Sequence, residues 1–179
     1  AGRRLPTTGK FTYVETWHDN YQKRVLAHEF DPYQSPLSDG RRVLDLVADH
    51  PATARYVCEK LCRRLVSDKP DATLVALAAK AWTDNRRKPD QIASTVEAIV
   101  RSEAFRRSAG AKIKRPLELC ASFARGAGIA LAPTTGLLGE LDGSGQRLFG
   151  WGPPTGHPDE NDYWLSSNMM RRRWSLLLG

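Results

Sequence analysis

The chain has 179 residues, 41% of them hydrophobic, with 14 glycines and 11 prolines scattered along it. That length suits one domain with a single core, and the composition excludes collagen-like, low-complexity and disordered classes. The net charge of +7 is uneven: residues 1–49 carry 7 Lys/Arg against 7 Asp/Glu, residues 50–125 carry 16 against 8, and residues 126–179 carry 4 against 5.

The basic excess therefore belongs to a central block, which either attracts anionic partners through its field or forms solvated helix faces. No apolar run approaches the eighteen or so residues of a membrane helix. Ala1-Gly2-Arg3-Arg4-Leu5-Pro6 carries neither an initiator methionine nor a charged-then-apolar signal segment. It reads as the start of a piece of a longer protein, or of a processed product.

Residues 1–40 form an irregular aromatic arm in which Phe11, Tyr13, Trp17, Tyr21, Phe30 and Tyr33 alternate with polar residues. A short strand or extended segment is expected over Thr12–Trp17. Residues 41–179 form a helical domain. Ser38-Asp39-Gly40 caps a helix over Arg41–Asp49, and Pro51 opens the next, where Ala54, Val57, Cys58, Leu61, Cys62 and Leu65 make a stripe. A third helix runs from Asp71 to Asp84. A fourth follows Lys88-Pro89-Asp90 and carries Ile92, Val96, Ile99 and Val100 to Phe105.

A fifth begins at Pro116, with Leu117, Cys120, Ala121 and Ala124 inward, and stops at Gly126 and Gly128. A short helix is expected at Leu137–Leu141. The last follows Asp159 as N-cap and runs unbroken through Trp164, Leu165, Met169 and Trp174 to Leu178. The fold class is all-α, an irregular bundle of about six helices with the aromatic arm and a long, ordered, Gly/Pro-rich loop. Val57, Leu61, Leu65, Val96 and Leu117 are expected to be buried.

Three cysteines make no disulfide framework. Cys58 and Cys62 lie one helical turn apart, too far for an unstrained bridge, and a single CxxxC offers too few ligands for structural zinc. They read as small buried apolar residues. His18-Asp19 invites a metal pair or a carboxylate-held imidazole, but no histidine precedes it to complete a phosphohydrolase set, and no metal site is assigned. His50 reads as a helix-start residue, and His28 carries no signature. No nucleophile elbow, zinc-protease, P-loop or dinucleotide motif is present.

The loop Phe149–Asp159 is the most informative segment. Pro153, Pro154 and Pro158 fix backbone angles, glycines allow sharp turns between them, and a long loop of this kind is either functional or disordered. Trp151 is expected to anchor it near Trp164 or Trp174. Trp151, His157, Asp159 and Trp164, together with His18 and Asp19, are the candidate pocket residues, against a purely structural clamp. Arg63, Arg64, Arg86 and Arg87 are the candidate face for an anionic partner. No reaction, catalytic residue or cofactor follows from these residues.

His50-Pro51-Ala52-Thr53-Ala54-Arg55-Tyr56 followed by Lys60-Leu61-Cys62-Arg63-Arg64-Leu65-Val66 resembles the signature of the bacterial domain-of-unknown-function family 1800. Lys112-Ile113-Lys114-Arg115-Pro116-Leu117-Glu118, Leu148-Phe149-Gly150-Trp151, Pro154-Thr155-Gly156-His157-Pro158-Asp159, Trp164-Leu165-Ser166-Ser167 and Arg173-Trp174 follow in order. His18-Asp19 also falls where the family tends to have an HD dipeptide, ahead of Lys23-Arg24-Val25-Leu26.

The resemblance implies the C-terminal part of a longer, exported protein, periplasmic or extracellular, often encoded beside a sulfatase-like exported family. It supplies no catalytic residues. The resulting expectation is the C-terminal helical portion of an exported bacterial protein that binds or processes an envelope polymer. Its partners would be the N-terminal part of the same protein and an exported sulfatase-like protein. The alternative is a non-catalytic scaffold or interaction module with a basic face for anionic partners. Nucleic acid is the weaker partner, because export separates it from the genome.

Overall fold

The computed structural model describes residues 9–178, so Ala1–Pro6 lie outside the described residues. Contacts divide the chain into two units, with the division between Ala54 and Arg55. Among the described residues there are nine α-helices, one short 3₁₀ turn and one two-stranded sheet. The protein is mostly helical and not strictly all-α.

In the first unit, where a short strand or extended segment is expected over Thr12–Trp17, Val14 is extended and Glu15–Trp17 forms the 3₁₀ turn. The strands lie further on: β1 (Lys23–Val25) pairs antiparallel with β2 (His28–Phe30), in the register Lys23↔Phe30, Arg24↔Glu29 and Val25↔His28. Leu26 and Ala27 make the two-residue turn with φ of 48° and 63°. Tight hairpins favour positive φ at both central residues, a conformation normally supplied by Asn-Gly or Asp-Gly. Leu-Ala adopts it here at a local steric cost, which is why no turn signature announces the hairpin.

Of the aromatics singled out in the arm, only Phe30 is buried, with the Arg42 guanidinium 4.4 Å above its ring. Helix α1 (Ser38–Asp49) starts after Leu37 at φ 66°. The expected cap is absent: Ser38 Oγ donates back to Ser35 O (2.7 Å), and Asp39 is buried in other contacts. At the entry to α2 (Pro51–Leu65), His50 Nδ1 accepts from Ala52 N (3.1 Å) and so serves as a helix-start residue.

In the second unit, α2 packs with α3 (Ala72–Asp84), α4 (Gln91–Val100) and α5 (Glu103–Arg107) around Cys58, Cys62, Val66, Leu74, Val75, Ala78 and Ile99. The deepest side chains of this core are Cys58, Cys62, Ala78 and Ile99. Val57, Leu61, Leu65, Val96 and Leu117, expected to be buried, are half-buried, Leu61 and Leu65 of them against this core, and Ile92 is exposed. Burial pushes the Cys58 and Cys62 thiols up to about 11, which keeps both neutral and inert.

Asp71 caps α3 by accepting from Leu74 N (2.8 Å). The predicted fourth helix is split because Ser102 turns extended and its hydroxyl accepts from Phe105 N (3.1 Å), which starts α5. The predicted last helix splits in the same way. Helix α6 (Pro116–Ala127) closes at Gly128 (φ 67°), with Gly126 inside it, and α7 (Thr135–Gly143) exceeds the short helix expected.

Helix α8 (Asn161–Trp164) is one turn long, and α9 (Ser167–Leu178) begins anew where Ser166 Oγ accepts from Met169 N (3.2 Å). Asp159 is not the cap. Glu160 holds that position without a side-chain bond, while Asp159 faces arginines. Helix α9 packs on α6 and α7. It buries Arg173, whose Nε and Nη2 find no hydrogen-bond partner.

Candidate functional site

A concavity of about 540 Å³ lies where α2, the start of α6 and the loop before α8 meet. Lys60, Arg63, Arg64 and Arg115 line it together with Trp151, His157, Asp159 and Glu160. Lys60, Arg63 and Arg64 fall at i, i+3 and i+4 on α2, which places them on one helical face.

Two carboxylates organise the arginines. Glu118, in the first turn of α6, accepts from Arg115 N (3.0 Å) and Arg115 Nε (2.9 Å), and pairs with Arg64. Desolvation pushes its carboxyl up, but the Arg115 amide and the two guanidinium groups outweigh this and hold it below the usual carboxylate range. Asp159 Oδ1 lies 3.4 Å from Arg64 Nη1 and 4.0 Å from Arg115 Nη1. Arg63 pairs with Glu59 (2.9 Å), and Lys60 sits over the Tyr56 ring at 5.0 Å.

The loop is fastened from below. Lys112 pairs with Asp68 and donates to Asp159 O, Asp68 Oδ2 accepts from Asn161 N (2.8 Å), and Asn161 Oδ1 accepts from Ile113 N (3.0 Å). Desolvation raises the Asp68 carboxyl, but Lys112 and the Asn161 amide bring it below its ordinary range. These polar partners lie far apart in sequence, and no local motif announces them.

Trp151 anchors the loop one ring away from Trp164 and not against Trp174. Trp151 packs on His157 (centroids 4.8 Å) and edge-on against Tyr163 (5.9 Å), while Trp164 is reached only through His157 (6.1 Å) and Tyr163 (4.8 Å). Trp174 is exposed. Trp164 is buried and donates from Nε1 to Pro158 O (3.0 Å), so it supports the loop rather than lining the concavity. His157 Nε2 lies 3.0 Å from Arg147 O.

Of the predicted site residues, then, Trp151, His157, Asp159, Arg63 and Arg64 share one concavity, with Trp164 behind it. Arg86 and Arg87 lie in the turn between α3 and α4 and do not line it. Lys60, Arg115, Glu118 and Glu160 complete the site. The Arg115-Pro116 helix start with Glu118 at its third position was the signal that could have drawn attention to that corner.

His18 and Asp19 belong to the first unit. Asp19 Oδ1 accepts from Tyr21 N (2.9 Å), a local turn bond. The carboxylate that holds His18 is Asp39, at 3.3 Å from Nε2, and Asp39 also accepts from Lys23 Nζ (2.9 Å). The Lys23 ammonium holds the Asp39 carboxyl below its usual range. His18 also lines a small cleft of about 240 Å³ with Phe11, Tyr13 and Trp17. Among the described residues no group of three or more His, Cys, Asp or Glu side chains is placed to hold a metal ion, and no helix is long and apolar enough to cross a membrane.

No curated protein and no solved structure matches the chain. The family model described as "Protein of unknown function (DUF1800)" matches residues 2–178, nearly the whole length, and the chain belongs to that family.

Proposed function

We propose that this is the C-terminal helical portion of an exported bacterial protein, periplasmic or extracellular, and that its concavity binds a stretch of an anionic envelope polymer. The observation that carries the reading is the meeting of Lys60, Arg63, Arg64 and Arg115 in one concavity with Trp151. Glu118 and Asp159 hold two of the guanidinium groups in place before any ligand arrives, so little side-chain entropy remains to be lost on binding. Lys60 is the exposed cation of the set and Arg63 is paired only within α2, with Glu59, so these two make the outer contacts.

Binding fits the site better than processing. Glu118 is taken up by Arg64, Arg115 and the Arg115 amide, which makes it a positioning group for the cations. Export, the N-terminal part of the same protein and an exported sulfatase-like partner rest on the family resemblance, and cell fractionation of the full-length protein tests the first of these.

The binding test is a titration with polygalacturonate, followed by tryptophan fluorescence at rising salt. Binding weakens steeply between low salt and about 0.15 M, where the Debye length is about 8 Å. The double variant Lys60→Gln/Arg63→Gln weakens it at low salt. Absence of binding, or binding indifferent to both salt and the double variant, overturns the reading.

A further inference from the structure

Three residues lining the concavity carry a buried polar atom without a partner: Arg63 at Nε, Trp151 and His157, and the last two lie together. Trp151 Nε1 and His157 Nδ1 are both buried without a hydrogen bond, on rings whose centroids are 4.8 Å apart. Their chemistry is complementary. The indole N–H only donates. His157 Nε2 faces the Arg147 carbonyl, which only accepts, so Nε2 carries the proton and Nδ1 of the neutral ring is left as an acceptor.

A buried donor or acceptor left unpaired costs about 1–3 kcal/mol, so an unpaired donor beside an unpaired acceptor is costly unless something fills both. An O–H group, of water or of a ligand hydroxyl that displaces it, satisfies the pair: it accepts from Nε1–H and donates to Nδ1. A carboxylate, sulfate or ionised phosphate only accepts and satisfies the tryptophan alone.

We infer that Trp151 and His157 form a hydroxyl-reading subsite beside the basic side chains, so that the ligand is an acidic glycan and not merely a polyanion. The inference rests on the anion-binding reading above and narrows its ligand class. Acid groups of the chain meet Lys60 and Arg63, and a ring hydroxyl meets the indole and imidazole nitrogens. The indole adds an apolar face for the sugar ring. Residues 152–156 between the two rings are exposed, so the small ring rotation needed to admit the hydroxyl disturbs little packing.

Polygalacturonate carries carboxylates and ring hydroxyls, whereas poly-glutamate carries carboxylates without hydroxyls. Both are titrated into the whole chain at matched salt, by calorimetry. Polygalacturonate is expected to bind about ten-fold tighter per charged repeat.

Trp151→Phe keeps a ring and removes the N–H. His157→Gln keeps a donor for the Arg147 carbonyl and removes the ring acceptor. Each is expected to weaken polygalacturonate about five-fold more than it weakens poly-glutamate, the size of one neutral hydrogen bond. Equal binding of both polymers, or equal weakening of both by the variants, overturns the subsite and leaves anion binding standing. Failure of both polymers to bind overturns anion binding and the subsite together. Either variant suffices if the other does not fold.

Discussion

Arg64 and Glu118 form an ion pair across 54 residues of sequence, joining α2 to the first turn of α6. The same carboxylate also caps Arg115 N, so one side chain fixes a helix start and two guanidinium groups at once. Both partners are about one-third exposed, which limits the pair to the modest energies of surface salt bridges. Glu118→Ala also loses the cap and is expected to cost about 1–2 kcal/mol of stability. Arg64→Gln costs less, about 1 kcal/mol. A double-mutant cycle read by urea denaturation is expected to give a coupling of roughly 0.5–1 kcal/mol.

The acid response follows from Glu118 and Asp68. Both carboxyls lie below their ordinary values of 4.5 and 3.8 in the folded protein. A depressed folded value means that the unfolded chain binds protons first as pH falls. Their stabilisation is therefore complete above about 4.5 and is lost as pH drops through the folded values. Urea midpoints are expected to stay level from pH 7 to about 5 and to fall below that. The Glu118→Gln variant should be less stable at pH 7 and show a shallower acid decline.

Cys58 and Cys62 are fully buried, and their thiols lie well above neutrality. Iodoacetamide at pH 8 is expected to leave both unmodified in the native protein and to label both in urea, as read by peptide mass spectrometry. Rapid native labelling would show that the α2–α3–α4 core opens readily.

The loop is held by stacked rings and by the His157–Arg147 contact. Trp151→Ala removes the centre of the stack and is expected to cost about 3 kcal/mol, toward the lower end for aromatic truncations because the ring is half-buried. His157→Ala loses two ring contacts and the backbone bond and is expected to cost about 1–2 kcal/mol. The histidine is thus structural in the unliganded protein, and Gln at that position recovers part of the loss. Thermal melts of the three variants check this order.

Arg173 is buried on α9 with two guanidinium nitrogens unsatisfied, and desolvation pulls its pKa down. Replacing a buried, poorly paired charge by an apolar side chain of similar length is often neutral or stabilising by about 1–4 kcal/mol. Arg173→Met is expected to raise the melting temperature by a few degrees.

Periodicity alone located most of the helices, because the alternation of apolar and polar residues every three to four positions reflects burial on one face. Pro51, Asp71, Pro116 and Gly128 marked helix ends because their preferences are local, set by a missing N–H, a capping oxygen or a positive φ. Trp151, His157 and Asp159 were legible as a group because the prolines around them read as an ordered loop.

What only the structure decided was partly local, where a residue type is ambiguous, and partly long-range. The serines at 102 and 166 broke two apparently continuous helices, since a serine reads equally well as a helix residue or as a cap. The Leu26-Ala27 hairpin had no turn signature, because its positive φ angles fall on residues that seldom adopt them. The partner of His18 was Asp39 rather than the adjacent Asp19, whose carboxylate is taken by a local turn. Arg64 met Glu118 and Asp159 only through the packing of α2, α6 and the loop. Lys60, Arg63 and Arg64 share a face of α2 by spacing alone, but Arg115 and the loop joined them only through the fold, because pairs between distant elements carry no sequence period.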